Sequence, residues 1–288
     1  MIRKIFQHPI VKVVLSTVFI LACTVAFKVA ITRPILSLLL TDEILAKTIG
    51  ATVSTLVIVG SYFIVLKYYF KRDFSEFHRK YAARELTYGF LIGFLTITAI
   101  VGILYFSGFY EITGRNSLKA FMATFALVAG GVMIEEIVFR GMLFKTLEGM
   151  TGTNLALFAS AIVFQIPHFW NPHEAFLPAL LGFIFGLVTG CMYAATKRLW
   201  VPFAFHFGWN IAQPFFGTTL SGISGFSVLY QTKIQGPELL TGSAFGVEDS
   251  LLALIGLTFL FIYYYSQMRK KGLIVKKNSQ SIVLETNQ

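Results

Sequence analysis

The stretch LKAFMATFALVAGGVMIEEIVFR, residues 118–140, decides the fold. Its apolar run, Leu118–Phe139, suffices to cross the roughly 30 Å hydrocarbon core of a bilayer, which takes about 20 helical residues. Yet Glu135 and Glu136 lie inside the run and Arg140 follows one turn later. An ionisable group at the centre of a span costs about 2.5–3.5 kcal/mol on insertion scales, so such residues face a bundle interior rather than lipid. The stretch reads as a membrane helix with a polar inner side.

Outward from it, seven more apolar runs appear: Ile10–Ile31, Ile44–Leu66, Leu86–Phe106, Asn154–Trp170, Ala175–Thr196, Leu199–Phe216 and Ser250–Ser266. They show no ten-residue alternation, which favours helices over a barrel. The composition agrees: of 288 residues, 56% are hydrophobic and only 13% charged, and the mean hydropathy is +0.71. A soluble domain is nearer 45–50% apolar and about 25% charged. A soluble enzyme, a disordered chain and a nucleic-acid-binding protein are therefore poor readings. Cys23 and Cys191 both sit in apolar runs and read as small buried hydrophobes rather than a disulfide or metal framework. The expected class is an all-α polytopic membrane protein, about eight transmembrane helices enclosing an intramembrane polar cavity. Residues 1–288 read as one integral domain, with a motif-bearing core at about 118–216.

Orientation follows from Lys and Arg. With eight spans and both termini cytoplasmic, 16 cations fall on the inner side and five on the outer, Arg33, Lys47, Arg115, Lys119 and Lys233. That is the bias of the positive-inside rule. The first run outlasts a signal-peptide core and carries Lys12 and Lys28 near its ends, where they can snorkel, so an uncleaved helix is expected.

Three polar groups interrupt the spans. At about 100° per residue, Glu136 and Arg140 lie about 40° apart and can pair, whereas Glu135 and Arg140 are about 140° apart. Glu135 is left without that cation, and a desolvated carboxylate of this kind suits a general acid or base. Bracing of helix ends is the bland alternative. In the fifth run, Phe164 stands one turn before His168, and Pro167 breaks the backbone ladder beside it. This reads as a polar cavity opening or as a core histidine at a kink. In the seventh run, His206 and Asn210 share a face, suited to binding a carbonyl oxygen or to interhelical bonding. Trp170 and Trp209 read as packing or interface residues.

The order of Glu135-Glu136-Ile137-Val138-Phe139-Arg140 (EExxxR), Phe164 to His168 (FxxxH) and His206 to Asn210 (HxxxN) resembles the CPBP family of intramembrane proteases, also called the Abi or CAAX-protease family. That family includes the Ras-converting CAAX prenyl endopeptidase and bacterial proteins linked to bacteriocin processing or self-immunity. The motifs span about residues 135–210. The resemblance implies an intramembrane endopeptidase in which Glu135 and His168 activate water. His206 and Asn210 would stabilise the oxyanion, and Glu136 and Arg140 would hold Glu135, with Phe164 in support. It implies a peptide or protein substrate in or at the membrane, prenylated or otherwise membrane-associated, and a bacterial cell membrane as location.

A glutamate-activated water needs no cofactor. Zn²⁺ is the other reading, with Glu135, His168 and His206 as ligands, although no HExxH is present. A non-catalytic binding, immunity or scaffolding protein of the same family is the alternative function, and a proton-relay transporter is a third. No nucleic-acid partner is expected. The C-terminal Glu285-Thr286-Asn287-Gln288 has no CaaX cysteine, so the chain is not expected to be a prenylated target itself. Counted along the helix, His206 lies about 10 Å and His168 about 21 Å from the cytoplasmic ends of their spans. Their meeting requires a shifted start of the fifth span, a tilt, or a redirection at Pro167. The shifted start is expected, with a site opening toward the cytoplasmic half.

Overall fold

The computed structural model describes residues 2–277, so the C-terminal Glu285–Gln288 segment lies outside the described residues. The protein is an all-α, polytopic integral membrane protein. Six helices are long and apolar enough to cross a bilayer: α1 (Pro9–Leu39), α2 (Glu43–Phe70), α3 (Arg79–Phe106), α4 (Leu118–Thr151), α6 (Phe176–Thr196) and α8 (Leu251–Lys270). The other two expected spans form shorter helices, α5 (Thr153–Gln165) and α7 (Trp200–Phe215).

Several boundaries differ from the sequence expectation. The fourth run does not end at Phe139; it passes into a π-helical stretch, Ile137–Phe144, and continues as α-helix to Thr151. The fifth run starts within one residue of its expected Asn154, so a shifted start is not what reconciles the two histidines. The chain changes instead at the other end, from α-helix to a 3₁₀ turn, Ile166–Trp170. Pro167 accounts for this. It has no N–H for the Val163 carbonyl, and the Ile166 N–H takes that carbonyl in a tighter bond. A short antiparallel ribbon, β1 (Tyr110–Arg115) with β2 (Tyr230–Ile234), was not expected at all. Each strand is only one short segment, too brief for alternation to stand out among apolar spans.

The connections sort to two ends of the bundle. At the end holding both ends of the described chain, called the terminal end, the Thr153 N–H donates to the Val275 carbonyl (3.0 Å) and Tyr69 Oη donates to the Phe6 carbonyl (2.7 Å). There too Arg198 pairs with Glu85, and Lys197 with Glu148. The β1–β2 ribbon and the long α7–α8 connection, 216–250, occupy the opposite end.

Helix α7 is the buried centre, with Phe205, His206 and Trp209 almost fully enclosed. It lies backbone-to-backbone against α3. A Cβ on Gly93 would overlap the Phe205 carbonyl, and one on Gly208 would sit 2.5 Å from the Phe90 carbonyl. Lipid gives no hydrophobic drive to helix pairing, so close contact between small residues supplies it. This packing fixes the helix that carries His206 and Asn210.

Candidate active site

The site begins with the acidic pair on α4. Glu136 is fully buried and its Oε1 meets Arg140 Nη1 at 3.1 Å, the pairing that the four-residue spacing indicates. Arg140 also bonds Thr189 of α6 and lies 4.3 Å from the Phe164 ring centroid, a cation–π arrangement. Phe164 in turn packs on His168, centroids 4.8 Å apart, and on His206 at 6.1 Å. One aromatic ring thus ties together the arginine and both histidines.

Glu136 does more than hold Arg140. The same Oε1 lies 2.8 Å from His206 Nδ1. A carboxylate can only accept, so Nδ1 is the donor and Nε2 is turned to the other side of the ring. There it faces Glu135, with Oε2 at 3.8 Å. Glu136 thus positions a histidine 70 residues away, a contact that no helical spacing reveals.

His168 is oriented in a similar way. Its Nδ1 lies 3.0 Å from the Phe164 carbonyl and must be the donor, which leaves Nε2 free. The 3₁₀ turn brings the imidazole over that carbonyl. Glu135 Oε2 is buried and has no hydrogen-bond partner. A buried polar atom without a partner costs free energy and marks a position where a ligand or water would be accommodated.

Glu135, His168, His206 and Asn210 all line one cavity of about 500 Å³. The four sequence candidates therefore converge, with Phe164 also in the wall and Glu136 and Arg140 buried behind it. Two further residues enter the wall that the sequence did not single out. Gln165 donates to Glu174 Oε1 at 2.9 Å. Glu248 accepts from Trp209 Nε1 (2.7 Å), Gln213 Nε2 (2.8 Å) and both the N–H and hydroxyl of Ser221 (2.7 Å each). Glu248 clips the α7–α8 connection onto α7 one residue from Asn210. Its place in a loop gives no periodic signal by which the sequence could have found it. Trp209 is buried packing, as expected, with its indole N–H satisfied.

The cavity corrects one expectation. Its wall reaches Leu220, Ser221, Phe245 and Glu248 of the α7–α8 connection, at the end opposite the termini. The expected site opening toward the cytoplasmic half is thus at odds with a wall that extends to the far connection. Among the described residues, no three His, Cys, Asp or Glu side chains are grouped closely enough to hold an ion. Glu135, His168 and His206, as arranged, do not fit a zinc centre.

Comparison with known proteins bears on the same segment. The family profile described as type II CAAX prenyl endopeptidase Rce1-like matches residues 116–212. A Bacillus subtilis (strain 168) protein named "Putative membrane peptidase YdiL" is 36% identical over 80 residues, 28% of this chain and 31% of that protein. The match thus spans about a third of the relative's length. No solved structure gives a significant match. Residues 116–212 carry all three motifs and all four converging side chains, and on that segment the chain is similar to the type II CAAX prenyl endopeptidase family.

Proposed function

We propose that the protein is an intramembrane endopeptidase that hydrolyses a peptide bond with a water activated by Glu135 and His168. The observation that carries this reading is the unpartnered Glu135 Oε2 on the wall shared with His168, His206 and Asn210. Glu135 takes a proton from water while the oxygen bonds to the substrate carbonyl carbon. His168, its Nδ1 already donating to Phe164, accepts through Nε2 and orients the water. The Asn210 amide donates to the tetrahedral oxyanion. His206 adds a second donor at Nε2 when both ring nitrogens carry protons, with Glu136 at one end and Glu135 at the other. Breaking of the C–N bond returns the Glu135 proton to the leaving nitrogen, which yields a carboxylic acid and an amine.

The chain acts as one integral unit of eight membrane-crossing segments in a bacterial cell membrane, with both termini cytoplasmic. Its substrates are peptides or proteins in or at the bilayer. The wall is mostly apolar around a few polar groups, which suits an extended, membrane-associated peptide.

The test is cleavage of a quenched-fluorescent peptide library, with prenylated members, by purified wild type and Glu135→Gln, with and without chelator. Cleavage that is lost in the variant and indifferent to chelator is the expected result. Cleavage abolished by chelator and restored by Zn²⁺ would replace the glutamate-water mechanism with a metal one. A folded wild type that binds members of the library and cleaves none would leave a binding protein instead.

A further inference from the structure

Where the cavity opens sets which substrates can reach it. We infer that the cavity is fed from the non-cytoplasmic face of the membrane, so that its substrates are polypeptide segments presented outside the cytoplasm. The substrate clause rests on the endopeptidase reading above; the direction of access does not.

Three independent observations support it. First, beyond mid-span residues such as Thr17 and Leu21 of α1 and Gly131 of α4, the wall extends toward one end of the bundle. Pro178 and Leu181 come from the first turns of α6, Leu257 from the second turn of α8, and Leu220 and Phe245 from the α7–α8 connection. All of these lie toward the end opposite the termini. Second, the other end is closed. Behind Arg140, Met142 and Phe144 of the π-helical stretch are fully buried, as are Tyr62, Tyr193 and Leu199. Glu76, also fully buried, joins them through Tyr62 Oη (3.3 Å), Tyr193 Oη (3.2 Å), Arg72 (2.6 Å) and Lys145 (2.8 Å). Arg72 also donates to the Gly141 carbonyl (2.6 Å), so the plug is bonded into α4 itself. A peptide approaching from the terminal end would have to break this cluster and expose its charges. Third, 16 cations on the terminal side against five on the other assign the closed end to the cytoplasm.

Cysteine accessibility tests the inference without relying on catalysis. In a background of Cys23→Ala and Cys191→Ala, three single cysteines are introduced. Ile223→Cys reports the mouth, Asn210→Cys the cavity floor and Lys270→Cys the terminal end. Cells and inverted vesicles are treated with a membrane-impermeant maleimide, after each variant has been shown to be folded by its thermal transition in detergent. Ile223→Cys and Asn210→Cys are expected to label at least ten-fold faster in intact cells than in inverted vesicles, and Lys270→Cys the reverse. The opposite pattern, or Asn210→Cys labelled equally from both faces, would overturn the inference. If Asn210→Cys does not fold, Leu220→Cys takes its place at the mouth side of the wall. For the substrate clause, an impermeant peptide cleaved in the library is given to right-side-out and inverted vesicles, and cleavage is expected only in the former. A failed library with the expected labelling removes the endopeptidase reading and keeps the direction of access. Cleavage with reversed labelling does the opposite.

Discussion

Two buried carboxylate clusters stand at different depths of this bundle, and they are built on opposite principles. At the terminal end, Glu76 is surrounded by Arg72, Lys145, Tyr62 and Tyr193, two cations and two hydroxyls for one carboxylate. Midway along α4, Glu135 and Glu136 share a single cation, Arg140, which reaches only Glu136. The first cluster is over-supplied with partners and closes the protein. The second is under-supplied, and one oxygen of each acid lacks a partner. Burial of a charge is tolerated when it is paired and bonded, so an acid left short of partners is a feature of a site rather than of a scaffold.

This contrast predicts that the two clusters fail in different ways. The largest effect is expected for Glu135→Gln, which removes the unpaired carboxylate but nothing that holds the fold. Cleavage should fall about 10³-fold, the middle of the range for loss of a general base, with the thermal transition in detergent little changed. A variant that unfolds instead would show that Glu135 is scaffold and would erase the distinction. Next, Glu76→Gln leaves Arg72 and Lys145 without their carboxylate. A loss of about 3 kcal/mol is expected, the low end for breaking a buried pair because both cations keep some water. It is read as a shift of the denaturation midpoint, with cleavage per folded molecule retained.

Glu136→Gln lies between the two, because Glu136 serves both the fold and the site. It can still accept from His206 but no longer offsets Arg140. A loss of about 3 kcal/mol together with a drop in cleavage of about 10²-fold is expected; an effect on only one of the two would sharpen the boundary between clusters. The smallest effect concerns the rim. Burial, with Asp249 and Glu248 nearby, pushes the Glu174 carboxyl up to about 7. The folded protein then holds a proton that the unfolded chain releases near its ordinary 4.5. Its contribution to stability is present below that value and is lost as pH rises to about 7. Glu174→Gln should flatten the fall in thermal stability across that window by a few degrees, and an unchanged slope would contradict the assignment.

Much of the site was legible because it is local. The Glu136–Arg140 pair, the packing of Phe164 under His168 and the shared face of His206 and Asn210 all depend on the repeat of one helix, and spacing along the sequence reports them directly. The break at Pro167 was legible for the same reason, since a missing N–H is a property of the residue. The Glu136–His206 bond, the anchoring of the α7–α8 connection by Glu248 and the Glu76 cluster were not. Each joins residues from separate segments, and Glu248 and Glu76 lie in connections without periodicity. The π-helical stretch after Glu136 was also hidden, because its residues are ordinary helix formers and the extra residue per turn is stabilised by tertiary partners such as Arg72 on the Gly141 carbonyl.

The sequence by itself determined that this chain lives in a bilayer, which runs are its helices and which polar residues they carry inward, because transfer of apolar length and the cost of isolated charge are properties of each segment. Only the tertiary structure decided how those helices meet. It set which acid holds which histidine, which end of the bundle is sealed, and which connection joins the cavity wall. Those outcomes depend on close approach between distant segments, such as Gly93 and Gly208 in the α3–α7 contact, and no local pattern encodes the partner across the gap.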